Sequence, residues 1–175
     1  MKIDLHTHTK KCKAGDPETR EIAPAKFCEI LADTDVGIIA ITNHNVFDIQ
    51  QFEEIDTESS DEFQVWPGIE LDVVESGSRG HLIVIVSPAK AKELSRAVTA
   101  IRADATPDEF STTIDAVLDH FESMGPLYVA HYKQKKPDIP DEALSTLTDR
   151  TANPCRVIKE VTNSISAGIL SLIHI

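Results

Sequence analysis

No apolar run in this sequence approaches the roughly 20 residues that a membrane-spanning helix needs. Met1 leads straight into a strand-like segment, without the charged and apolar regions of a secretory leader. Cysteine is scarce and scattered. Cys12, Cys28 and Cys155 form neither a CxxC pair nor an even-numbered framework, which excludes a disulfide scaffold and a cysteine-based metal or redox site. Free thiols fit a reducing compartment, and a cytoplasmic location is the expectation. Positive charge is also short: 17 Lys and Arg stand against 29 Asp and Glu, for a formal net charge of −12. That balance excludes a sequence-independent grip on nucleic acid through the whole surface, while leaving room for a local basic patch. Low-complexity tracts and fixed-period repeats are missing. What remains, 175 residues of which 41% are hydrophobic, suffices for one domain with a sizeable core.

The first nine residues carry the strongest local pattern. Asp4, His6 and His8 fall two apart on a segment that reads as a strand, so their side chains project to one face as nitrogen and oxygen donors. A His-x-His pair is a moderate signal alone, and partners elsewhere decide its meaning. A Lys-rich loop with Gly15-Asp16-Pro17 as its turn signal follows, and Pro24 then opens an amphipathic helix bearing Phe27, Ile30 and Leu31. Residues 36–42 form an apolar run of strand length that empties into Asn43-His44-Asn45.

A short helix and an acidic loop are expected over 46–58. The strand-like stretch 63–74, interrupted by Pro67-Gly68, places Glu70 and Asp72 opposite Ile69, Leu71 and Val73. After a turn over 76–80, His81 heads the apolar run 82–86. Ser87-Pro88 reads as the cap of a helix bearing Leu94 and Val98, and Thr106-Pro107 as the cap of a second bearing Val117 and Phe121. A short strand ends in His131, a basic loop and a helix over 141–147 follow, and a sixth strand ends at Glu160 and Asn163. Strands alternating with helices specify an α/β class with a mainly parallel sheet, in which functional residues gather at the C-terminal ends of strands.

The ordered set Asp4-Leu5-His6-Thr7-His8-Thr9, Thr42-Asn43-His44-Asn45, Pro67-Gly68-Ile69-Glu70, Gly80-His81-Leu82 and Ala130-His131 resembles the PHP superfamily, named for polymerase and histidinol phosphatase. The resemblance runs from residue 4 to about 131. It implies an irregular, TIM-like barrel of about seven β/α units with two or three divalent ions, Zn, Mn or Fe, in a cleft at the strand ends. By position, His6 and His8 would hold one ion, and Glu70 would bridge it to a second held by His81 and His131. His44 would serve a third, with Asp16 as the candidate acid beside it. Asp4 would act behind an imidazole rather than on a metal. Asp72 reads equally well as an exposed strand carboxylate, and His120 as a helix-surface residue.

Two departures stand out. Asn43 replaces the acid of the family's Thr-Asp-His, removing a charge that could orient a ligand, and the closing Asp-x-His is missing, since neither Asp149-Arg150 nor His174 supplies it. The tail Leu170-Ser171-Leu172-Ile173-His174-Ile175 matches the translation of a transposase sequencing adapter. The expectation is a barrel domain over 1–169, lacking its last strand, with a non-native tail over 170–175.

Lys10, Lys11 and Lys13 follow one proposed ligand pair, and Lys133, Lys135 and Lys136 follow another, six of the 17 Lys and Arg in two loops. They read equally as a rim for a phosphate-rich substrate and as ordinary solvated lysines. The resemblance implies a phosphoesterase acting on a phosphate mono- or diester of a nucleotide or nucleic acid, with a metal-activated water as nucleophile. Two alternatives stay open: a non-catalytic metal-binding domain of a larger ATPase or polymerase assembly, and an amidohydrolase-type enzyme acting on C–N bonds. A likeness to PHP domains that precede ATPase modules makes a fused or associated ATPase the expected partner.

Overall fold

A computed structural model describes residues 2–59, 62–103, 106 and 108–161. Asn163, His174 and the tail over 170–175 lie outside the described residues. The chain runs β1 (Lys2–Thr7), α1 (Pro24–Ala32), β2 (Val36–Ile41), α2 (Ile49–Ser59), β3 (Gln64–Glu75), β4 (Ser78–Ile85), α3 (Ala91–Arg102), α4 (Ile114–Phe121), β5 (Leu127–His131), α5 (Asp141–Arg150) and β6 (Val157–Glu160). The six strands form one sheet in sequence order. Pairs β1–β2, β2–β3 and β5–β6 are parallel, as expected for buried apolar runs joined through helices. Pairs β3–β4 and β4–β5 are antiparallel, which refines the mainly parallel reading.

The antiparallel step follows from the turn at Ser76-Gly77. Both residues have positive φ, 49° and 80°, and Glu75 pairs with Ser78, the geometry of a two-residue type I′ hairpin. Pro67-Gly68 does not interrupt β3. Pairing with β2 ends at Pro67 and pairing with β4 begins at Gly68, so the missing proline N–H falls where the strand changes partners. Gly68 is needed there for close approach. A Cβ would come 2.9 Å from both the Val84 carbonyl oxygen and Thr42 Cγ2.

Two helix starts differ from expectation. Ser87-Pro88 opens a 3-10 turn over Pro88–Lys90 with no side-chain cap, and α3 begins only at Ala91. The following helix is capped by Thr113, whose hydroxyl accepts from Ala116 N at 3.2 Å, rather than near Thr106.

Helices cover the outer face of the sheet. Ile69, Leu71, Leu82, Val84 and Tyr128 pack against Leu94, Ile114, Val117, Phe121 and Leu147. Ile39, Ile41 and Val65 pack against Phe27, Leu31, Phe52 and Ile55. The inner face carries a smaller apolar cluster, Ala40, Ile83, Ile85 and Val129, with Leu5, Trp66, Leu127 and Ile158 around it. Side chains of the two edge strands meet, His6 Nδ1 lying 3.0 Å from Glu160 Oε2, so the sheet curls into a half-barrel closed at one end by polar contacts. Gly68→Ala is expected to lower the unfolding free energy by about 1–3 kcal/mol, because the methyl meets backbone rather than a flexible side chain. A urea midpoint equal to that of the unaltered protein would contradict the close-approach reading.

Candidate metal centre

Strand direction explains how distant residues converge. His6 on β1, His131 on β5 and Glu160 on β6 sit at or near the C-terminal ends of parallel strands, and His44 follows the end of β2. His81 lies near the start of β4, and because β4 runs antiparallel its N-terminal half reaches the same rim. Glu70, in mid-β3, is held by the segment following β2: Asn45 N donates to Glu70 O at 2.7 Å and Glu70 N donates to Asn43 O at 3.2 Å.

Five imidazoles form a closed ring. Consecutive ring centroids are 5.0 Å apart for His6–His8, 4.7 Å for His8–His44, 5.0 Å for His44–His81, 5.1 Å for His81–His131 and 5.0 Å for His131–His6. The Glu70 carboxylate, 1% exposed, faces every one of them. His44 Nδ1 is 2.8 Å from Oε2, His8 Nε2 3.3 Å from Oε2, His81 Nδ1 2.7 Å from Oε1, His131 Nε2 3.3 Å from Oε1 and His6 Nε2 3.5 Å from Oε1. Two further carboxylates back the ring. Asp72 Oδ1 lies 2.9 Å from His81 Nε2, and Glu160 Oε2 lies 3.0 Å from His6 Nδ1. Such carboxylate–imidazole pairs fix the tautomer and aim the other ring nitrogen inward.

The two asparagines flanking His44 are clamps. Asn43 Oδ1 accepts from Thr9 N at 2.8 Å and Lys10 N at 3.0 Å, and its amide donates to Thr9 Oγ1 at 3.2 Å, pinning the chain just beyond His8. An aspartate could accept but not donate, so the residue that departs from the family motif suits a mixed donor and acceptor position. Asn45, with φ 51°, donates to Asp72 Oδ2 at 2.8 Å and accepts from Asp72 N at 2.9 Å, a left-handed conformation that asparagine tolerates. Asp4 Oδ1 accepts from the backbone N–H of His6 at 3.0 Å, so it steadies the main chain rather than the imidazole.

The remaining expected participants have partners other than Glu70. Asp16 accepts from the backbone N–H groups of Cys12 and Lys13, both at 2.9 Å, and pairs with Arg20, closing its own loop; against the effect of burial these groups, with His44, hold its carboxyl below the usual range. Among the six lysines, Lys13 reaches Asp72 at 2.5 Å and Lys135 reaches Glu160 at 2.8 Å. Lys10, Lys11 and Lys136 pair with Asp48, Glu18 and Asp138, and Lys133 lies over the Tyr132 ring. Sequence reasoning gave Glu160 a place at a strand end but no role, and left Asp72 open to exposure, whereas both are buried. The alternation that put Glu70 and Asp72 on one face was the usable signal for Asp72.

The electrostatics are those of buried carboxylates packed against imidazoles. Burial opposes the charged form of His6, but Glu70 and Glu160 together outweigh it and raise its pKa to about 9. Burial holds His8 down, to about 4, against the pull of Glu70. Burial also works against Glu70 and Glu160, yet the imidazoles beside them hold both carboxyls well below the usual range. Burial raises Asp4 to about 6. A charged His6 can donate from Nδ1 to Glu160 and from Nε2 to neutral His8, 3.1 Å away, so one proton occupies a position a cation could take.

The donor set fits divalent ions. Ligand atoms bound at about 2.1 Å lie about 3.0–3.5 Å apart at octahedral or tetrahedral angles, and the 3.1, 3.3 and 3.3 Å separations of His6–His8, His8–Glu70 and His131–Glu70 fall there. Glu70 Oε2, His44 Nδ1 and His131 Nε2 are buried without an aligned hydrogen-bond partner among the described residues. Three ligand groups emerge: His6, His8 and Glu70; His44, Glu70 and His81; and His6, His131 and Glu160. His81 and His131 both face Glu70 Oε1, at 2.7 and 3.3 Å, whereas His8 and His44 face Oε2. Imidazole and carboxylate donors without thiolate suit Zn, Mn or Fe. A surface cleft of about 740 Å³ between α1 and α2 shares no residue with the ring.

No family model and no curated protein matches the sequence. Solved structures match in fold. A protein from Bifidobacterium adolescentis assigned as a metal-dependent phosphoesterase is similar with a TM-score of 0.58 at 13% identity, over 84% of this chain and 73% of that one. An amidohydrolase from Chromobacterium violaceum, with bound sulfate and no metal, gives 0.56 at 12% identity, over 84% and 72%. A two-domain protein from Bacteroides vulgatus containing a predicted PHP-like metal-dependent phosphoesterase gives 0.54 at 13% identity, over 85% of this chain and 41% of that one. The chain therefore has the fold of these hydrolase-type proteins, a mixed α/β half-barrel, and at the strand ends a buried cluster of histidines and carboxylates able to bind metal.

The metal-free site has a defined pH response. The folded pKa of His6, about 9, exceeds its ordinary 6.5. Its stabilising contribution is present below pH 6.5 and is lost as pH rises through about 9. In chelator, urea midpoints should fall as pH is raised from about 7 to about 9.5, and His6→Gln should flatten that fall. Equal slopes for both proteins would contradict the charge assigned to His6.

Proposed function

We propose that this chain is a PHP-type, metal-dependent phosphoesterase domain that hydrolyses a phosphate ester of a nucleotide or nucleic acid. The observation that carries the reading is the closed ring of imidazoles around Glu70, with Lys13 and Lys135 reaching its backing carboxylates. Two or three Zn, Mn or Fe ions would be held by His6, His8, His44, Glu70, His81 and His131. Bound there, they would lower the pKa of a water from 15.7 toward about 7 and neutralise phosphoryl oxygens. The protein's own groups do the rest. Glu70 places one carboxylate against all five rings. Asp72 and Glu160 aim His81 and His6 inward, and as ligands these histidines are not free to act as bases. The ammonium groups of Lys13 and Lys135, partly exposed at the edge of the cluster, can meet phosphate oxygens or supply a proton to the leaving oxygen. The free thiols Cys12, Cys28 and Cys155 fit a reducing, cytoplasmic setting.

A second reading, hydrolysis of a C–N bond, is favoured by the amidohydrolase of the same fold. The lysines weigh toward phosphate, and the sulfate in that protein is likewise a tetrahedral oxyanion. A non-catalytic metal-binding role beside an ATPase is the outcome if metal binds and nothing is hydrolysed. Assays with Mn²⁺ or Zn²⁺ on a phosphomonoester, a phosphodiester, single-stranded DNA and an amide should show phosphate-ester hydrolysis, reduced more than about 100-fold by His6→Ala or Glu70→Ala. Turnover of the amide alone would replace this reading with the second. Lys13→Ala should raise KM several-fold for the phosphate ester, whereas Lys136→Ala, whose partner is Asp138, should not. Equal effects would remove Lys13 from the substrate contact.

A further inference from the structure

Glu160 is the buried carboxylate whose place in the cluster the foregoing leaves widest open. It ends β6 directly opposite His131, its register partner on β5, and the parallel pairing turns both side chains to the inner face. Glu160 is 3% exposed and His131 2%. Lys135 Nζ engages Glu160 Oε1 at 2.8 Å, so the ion pair occupies one oxygen and directs Oε2 inward. Oε2 lies 3.3 Å from His131 Nε2, and Glu70 Oε1 lies 3.3 Å from the same nitrogen. That nitrogen has no aligned hydrogen-bond partner among the described residues. Two buried carboxylate oxygens within 3.3 Å of one imidazole nitrogen concentrate negative charge where a cation would be stabilised and would satisfy that nitrogen. The two 3.3 Å separations match edges of a coordination sphere with bonds of about 2.1 Å.

We infer that Glu160 is itself a metal ligand, holding with His6 and His131 a divalent ion on the β5–β6 side of the ring. The inference rests on the metal-binding part of the proposed function. It gives the centre a second carboxylate from within the described chain, without the Asp-x-His that the resemblance expects further on. The rival role is purely orienting, in which Glu160 accepts from His6 Nδ1 and touches no metal.

Glu160→Gln separates the two, because the amide keeps the size of the side chain and an oxygen for His6 Nδ1 but is a poor ligand. The full chain would be dialysed against Co²⁺ and bound ions counted by atomic emission, with the visible Co²⁺ spectrum recorded. The expected result is one ion fewer per chain, or at least a tenfold weaker binding of one ion, with an altered spectrum. His131→Ala should lose the same ion, the double variant should lose no more than either single, and His44→Ala should lose a different one. Wild-type stoichiometry and spectrum in Glu160→Gln would overturn the assignment and leave the orienting role. If the glutamine variant does not fold by circular dichroism, Glu160→Asp decides: a shifted Co²⁺ spectrum and weaker binding support the ligand, and unchanged values overturn it. Ions are counted without substrate, so a protein that binds them in this pattern and hydrolyses no ester would overturn the function and keep the ligand.

Discussion

The structure depends on one unfavourable act, the burial of the Glu70 carboxylate at the centre of the strand ends. A buried carboxylate is costly unless it is paired and hydrogen-bonded, and here imidazoles from three strands and from the segments that follow β1 and β2 surround it. The ring brings residues from position 6 to position 131 within reach of a single side chain. The fold reads as a device for that convergence. Parallel strands bring their C-terminal ends to one rim, the β3–β4 hairpin turns an N-terminal half toward the same rim, and the curl of the sheet lets β1 and β6 meet through His6 and Glu160.

Supporting residues divide between backbone clamps and charge partners. Asn43, Asn45 and Asp4 act on main-chain N–H groups, which fixes where the ring histidines start. Asp72 and Glu160 act on ring nitrogens, and each is balanced by a lysine, Lys13 and Lys135. Asn43 thus has a structural use that an aspartate at this position could fill only in part.

Much of this was legible in the sequence where periodicity and strand-end position coincide. His6, His8, His44 and His131 stand at the ends of strand-like segments, and the ordered resemblance to the PHP motifs added Glu70 and His81, which lie inside or at the start of strands. The sheet direction was less legible. A turn spread over 76–80 conceals a two-residue hairpin at Ser76-Gly77, and only positive φ at both positions makes β4 antiparallel. Asp16, the candidate acid beside His44, is also taken up by its own turn, where the backbone N–H groups of Cys12 and Lys13 donate to it, while His44 stays near enough to act on its charge. The lysine rim thinned for a similar reason: nearby carboxylates, Asp48, Glu18 and Asp138, were invisible as partners until the loops were placed. Glu160 entered the sequence reading at a strand end and through the likeness of Glu160-Val161-Thr162-Asn163 to PHP domains that precede ATPase modules, with no ligand role, and its place in the cluster comes from lying across from His131.

The central claim is that the ring around Glu70 is a centre for more than one divalent ion. Anomalous diffraction at the Zn or Mn edge from crystals of the metal-loaded protein tests it directly. The account predicts at least two anomalous peaks inside the imidazole ring, each contacted by a Glu70 oxygen or by a carboxylate that backs the ring. Peaks confined to the surface acids, or a ring that holds none at saturating metal, would contradict it.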